Sequence, residues 1–224
     1  HLNESMLEKL LTMKVRKSIK NAGGKGIAIT SGESSGAWAK AGGVGTFSGV
    51  NADSYDEEGN IIPQVYKEKT RKGRHRELVD FSVSGAIEQA RIARDIAGSK
   101  APIHINILWE MAAAEEILSR TLEKAGNIID GVTCGAGMPY KLSQIAAKFG
   151  IYYYPIVSSA RAFNALWKRS YRKTSDFLGG VVYEDPWLAG GHNGLSNSED
   201  PLKPEPPFPR VRDLRTLMNS FELQ

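Results

Sequence analysis

The 224-residue sequence contains a single cysteine, Cys134, which excludes an intrachain disulfide and any cysteine-rich zinc site. No apolar run approaches the roughly 20 residues that span a bilayer. No apolar signal-peptide core follows the N-terminus either. These absences set the expectation of a reducing, cytoplasmic location and no membrane partner. Charge of one sign is also scarce. Lys and Arg number 29 against 25 Asp and Glu, a net charge of +4. That modest excess suits anionic small molecules and does not read as a nucleic-acid footprint. No G-x-G-x-x-G follows the first apolar strand, which counts against a dinucleotide-binding Rossmann domain.

What is present is an alternation of strands and helices. Residues 1–24 read as a tag remnant (His1–Ser5) and a helix over 7–24 that ends at Gly23 and Gly24. Strands are expected at 25–30, 45–50, 102–108, 129–134, 151–158 and 176–184. Helices are expected at 34–43, 82–99, 112–126, 140–150, 160–173 and 211–223, from their apolar periodicity and glycine stops. The run PIHINIL (102–108) is continuous and β-branched, as a buried parallel strand is. Alternating units of this kind predict a parallel α/β fold. Polar, glycine-rich turns follow several different strands, and that distribution points to a TIM-type (β/α)8 barrel. Six units are legible where the barrel has eight. The expectation is an incomplete barrel with its C-terminal units missing: a fragment, or a chain completed by a second copy or another partner.

Three segments concentrate the chemistry. In AGGHNG (189–194), Gly190 and Gly191 let the backbone approach a flat ligand, and His192 holds a titratable ring beside it. In CGAGMP (134–139), Gly135, Ala136 and Gly137 form a turn after a strand. Pro139 is placed to open the next helix at its first position. In YPIVSSARAF (154–163), Ser159 is either a ligand contact or a helix N-cap. Asn106, in PIHINIL, carries an amide that both donates and accepts. Alternation puts His104 on the same face as Asn106, where an interior histidine is the ordinary reading. Cys134 reads as a small buried residue, since no neighbour in sequence lowers its pKa.

These segments, in this order, resemble the FMN-dependent nitronate monooxygenase family, formerly the 2-nitropropane dioxygenases. They also resemble the related flavin-dependent enoyl-acyl-carrier-protein reductases. AGGVG (41–45) is similar to the AGGLG of that family. The resemblance covers roughly residues 25–195. It implies an FMN-binding barrel-type domain over 25–224, with His192 as the catalytic base and Asn106, Gly135, Ala136, Gly137, Ser159, Gly190 and Gly191 around the flavin or substrate. No metal site is expected. The implied reaction is oxidation of a nitronate, or a related acidic carbon, with oxygen. One alternative is reduction of an enoyl thioester with NAD(P)H. Another, from a different class, is a flavin-free remnant that serves as a binding or assembly module.

The sequence departs from the family at named positions. Pro186 stands for a glycine and Leu188 for an acid, and the first strand leads into Thr30-Ser31-Gly32-Glu33 rather than a methionine turn. The glycine-rich phosphate turns of the last two units have no counterpart. An insertion over 51–80 carries Lys67, Lys69, Arg71, Lys72, Arg74, His75 and Arg76. It reads as an exposed loop, with an anionic carrier or acyl thioester as the functional alternative.

Overall fold

The computed structural model describes residues 30–189 and 194–223. Five strands form one sheet in the order β1-β2-β3-β4-β5, all neighbours parallel: β1 Gly45–Ser48, β2 Ile103–Leu108, β3 Gly131–Gly135, β4 Tyr152–Val157 and β5 Val182–Tyr183. The helices are α1 Gly32–Lys40, α2 Arg71–Ala97, α3 Ala114–Ala125, α4 Leu142–Phe149, α5 Ala160–Arg169 and α6 Pro207–Ser220. Strand order following chain order, with a helix between strands, is the winding of a TIM barrel. The sheet curls as an incomplete one. The expected first strand, 25–30, lies outside the described residues except for Thr30. The Thr30 carbonyl accepts from the Ser48 N–H at 3.0 Å.

Strand alternation divides the sheet into two chemically different faces. Phe47, Ile103, Ile105, Ile107, Val132, Cys134, Tyr153 and Val157 pack under the helices in one apolar core. The opposite, lumen face carries Thr46, Ser48, His104, Asn106 and Thr133, all buried. Each fully buried isoleucine of β2 contributes on the order of 2 kcal/mol, so the helix-facing side anchors the fold and leaves the lumen face free for polar groups.

Local signals fix the helix ends. Ser31 caps α1, its Oγ accepting from the Ser34 N–H at 3.3 Å, and Thr70 caps α2 by accepting from Gly73 at 2.9 Å. The basic run is therefore only partly a loop. The helix expected at 82–99 begins at Arg71, so Arg71, Lys72, Arg74, His75 and Arg76 occupy its exposed first turns. Helices α1 and α2 approach until their backbones nearly touch, through Gly32 and Gly36. A Cβ at Gly32 would strike the Gln89 carbonyl. The Gln89 side chain bridges this contact. It accepts from the Gly32 N–H and donates to the Asp53 carbonyl, both at 2.6 Å. At the N-terminal ends of β2 and β3, Arg94 pairs with Asp130 at 2.6 Å, and Asp130 also accepts from the Ile103 N–H at 2.9 Å.

Candidate functional site

The register places the lumen-facing residues in rows. Thr46, His104, Gly131 and Tyr152 stand side by side, and Ser48, Asn106, Thr133 and Tyr154 form the next row toward the C-terminal end. The lower level is filled. The His104 and Tyr154 rings lie 4.5 Å apart, tilted by 34°. They fit because Gly131 and Gly179 lack side chains: a Cβ on Gly131 would stand 2.7 Å from His104 Nε2, and one on Gly179 would overlap the Tyr154 ring. This pair packs on the lumen face of β2 and β4, beside the row of Ser48, Asn106 and Thr133.

Asn106 is wholly buried in that row. Beside it, the Thr133 Oγ1 is buried with no hydrogen-bond partner, as are the Tyr152 hydroxyl and His104 Nδ1 on the same face. Burial holds the His104 imidazole neutral, its pKa lowered to about 4. Burial likewise pushes the Cys134 thiol far above the range in which a thiolate forms at neutral pH. Cys134 faces the helix layer and is part of the core.

At the lip, Gly135 ends β3, and the chain then turns through Ala136 (φ 58°) and Gly137 (φ 117°). Left-handed backbone at two consecutive positions turns the main chain back at the strand end. The Gly135 and Ala136 carbonyls accept from the Trp109 and Glu110 N–H groups at 2.8 and 2.9 Å, which locks this turn to the β2–α3 loop. Pro139 does not open the following helix. The helix begins at Leu142, and the Pro139 carbonyl is held by the Tyr171 hydroxyl at 2.9 Å. Ser159 is the N-cap of α5, its Oγ accepting from the Ala162 N–H at 3.1 Å, with its own hydroxyl proton still available to donate. Gly190, Gly191 and His192 lie outside the described residues. The turn leading to them is defined: the Asp185 carboxylate accepts from the Trp187 N–H at 2.9 Å, and the Asp185 carbonyl accepts from Ala189 at 2.8 Å.

A buried clamp at this lip has no signature in the sequence. Arg210, in the first turn of α6, donates to the Ser158 carbonyl at 2.7 Å and pairs with Glu199 at 2.5 Å and Glu205 at 3.0 Å. Its guanidinium also lies 5.1 Å from the centre of the Trp187 ring. The stretch 194–206 is thereby strapped against the ends of β4 and β5. Glu199 is held below the usual carboxylate range: burial opposes this shift, but hydrogen bonds from the Ser196 N–H and Arg210 outweigh it.

The residues present fit the ring end of a flavin. Asn106 can donate and accept at once, Thr133 has an unmet hydroxyl, and the lip brings main chain rather than side chain to the site. No described residue is assigned to a phosphate. Among the described residues, no group of three or more His, Cys, Asp or Glu is placed to hold a metal ion, and no helix is long and apolar enough to cross a membrane. Two open grooves, of about 400 and 420 Å³, lie in the helix layer, between α5 and α6 and among Trp109, Tyr140, Lys141 and Arg169.

No protein-family model matches the chain, and no curated protein matches its sequence. Solved structures do match its fold. FabK from Thermotoga maritima superposes with a TM-score of 0.56 at 18% identity, over 88% of this chain and 47% of that one. A point mutant of the same FabK gives 0.57 at 15% identity, over 93% and 53%. Nitroalkane oxidase from Streptomyces ansochromogenes gives 0.52 at 10% identity, over 88% and 55%. The chain thus spans about half the length of these structures and shares the architecture of that half, an α/β barrel built strand by strand.

Proposed function

We propose that this chain carries the ring-binding part of an FMN-dependent oxidoreductase of the nitronate monooxygenase type. The observation that supports this reading most directly is Asn106, fully buried on the lumen face and flanked in register by Ser48 and Thr133, just below the C-terminal lip. Catalytic groups of barrel enzymes gather at that end. The AGGHNG segment follows β5 in the sequence.

In this reading Asn106 and Thr133 orient the ring through hydrogen bonds to its N–H and C=O edge. Gly135, Ala136 and Gly137 shape the rim, and Ser159 donates its hydroxyl proton to the ligand while capping α5. His192, flanked in sequence by Gly190 and Gly191, would accept the proton from the acidic carbon of a neutral substrate, or lie against the charge of a nitronate, which has already lost that proton. When bound, FMN would supply the electron acceptor for that carbon and the route to oxygen. A second reading, reduction of an enoyl thioester with NAD(P)H, is favoured by one observation: Arg71, Lys72, Arg74 and Arg76 are exposed on the first turns of α2, as recognition of an anionic carrier or coenzyme requires. Any homo-oligomer or partner chain belongs to this proposal as the source of the remaining barrel units.

The test is the visible absorbance spectrum of the purified 224-residue chain before and after addition of FMN. A bound-flavin spectrum supports the reading. Oxygen uptake with a nitronate, set against NAD(P)H-dependent enoyl reduction, then separates the two reactions. A colourless protein that takes up no FMN overturns both and leaves a flavin-free binding module.

A further inference from the structure

Glu184 follows β5 directly, and its N–H extends the ladder by donating to the Val157 carbonyl at 2.9 Å. Its neighbour Tyr183 packs against the helix-facing core, so alternation turns Glu184 to the lumen face, the face of Asn106 and Thr133. The register of β4 and β5 puts it level with Ser158, at the lip. Its Oε2 is removed from water and accepts no hydrogen bond. Of the polar groups on neighbouring residues, the Tyr183 hydroxyl and Arg210 Nε are likewise buried without a partner, and the others are engaged. Asp185 holds the Trp187 N–H, and the terminal nitrogens of Arg210 are taken by Ser158, Glu199 and Glu205.

A carboxylate oxygen buried without a donor is costly, and a fold retains one where something else supplies the donor. We propose that Glu184 is a ligand-contacting residue of the lip, accepting a hydrogen bond from an N–H or O–H donor of bound FMN. The donor belongs to the neutral ring or its polyol chain. A nitronate or a phosphate is an anion and is repelled by a carboxylate. This inference rests on the flavin reading above.

The experiment compares wild type with Glu184→Gln in two measurements: thermal unfolding without ligand, and FMN titration followed by flavin absorbance. The amide keeps the shape and removes the charge and one acceptor. The expected result is FMN affinity weakened about tenfold with an unfolding temperature that holds or rises, by up to about 2–4 °C for each kcal/mol gained in a domain of this size. FMN affinity within threefold of wild type overturns the proposal. So does weaker binding accompanied by a lower unfolding temperature, which would identify Glu184 as a structural partner. If wild type takes up no FMN, the flavin reading fails. The proposed contact fails with it, an outcome distinct from FMN binding equally to wild type and Glu184→Gln, where the contact alone fails.

Discussion

Arg210 reaches from the first turn of α6 to the Ser158 carbonyl, 2.7 Å away, and so ties the C-terminal strap to the end of β4. Its guanidinium also holds Glu199, whose side chain is only 11% exposed. Removing one member of a buried pair leaves the other charge uncompensated. Arg210→Ala is expected to cost about 3 kcal/mol, read as a lower urea midpoint with little change in slope. Arg210→Lys recovers only part of this, because a single ammonium cannot serve three acceptors in a planar fork.

His104 gives a defined pH dependence. Its pKa falls from 6.5 to about 4 on folding because the ring is desolvated. The unfolded chain therefore takes up a proton first as the pH drops. Its contribution to stability is complete above pH 6.5 and is lost progressively between 6.5 and about 4. The loss amounts to roughly 3 kcal/mol. His104→Gln is expected to remove that share of the slope in unfolding free energy measured across this range.

Gly85 is where α2 meets the loop after β1. A Cβ there would collide with the backbone carbonyl of Ala52. Gly85→Ala is expected to destabilise by about 3 kcal/mol although alanine favours helices, because a backbone atom must move. An unchanged unfolding midpoint would show that the loop yields freely.

His192→Ala is expected to retain bound flavin and lose most turnover of a neutral nitroalkane, whose acidic carbon must give up a proton. Steady-state oxygen consumption checks this directly. Turnover at the wild-type rate would remove His192 as the base.

Much of the architecture was legible because its signals are local. The β-branched run of β2, the glycine ends of α2 and α4, and the Ser159 cap of α5 each act within a few residues. The start of α2 was not legible, because Arg71–Arg76 has no apolar face and is helical only as the extension of a segment that does. The strand expected at 176–184 is interrupted: Ser175–Phe177 is a 3-10 turn, Leu178 bridges Tyr153, and the regular strand is Val182–Tyr183, while Gly179 packs against the Tyr154 ring, a contact between residues far apart in sequence. The site divides in the same way. Asn106 and the positive-φ turn at Ala136 and Gly137 carried sequence signals. Glu184 and Arg210 did not, since their significance comes from which partners the fold brings to them or withholds.

The two-residue ladder between β4 and β5 bears on assembly. β5 offers only a short template to any strand that joins the sheet beyond it. A strand docking there, from this chain or another copy, gains few main-chain hydrogen bonds and must be held by side-chain fit. Short outer strands discourage indiscriminate strand addition between molecules.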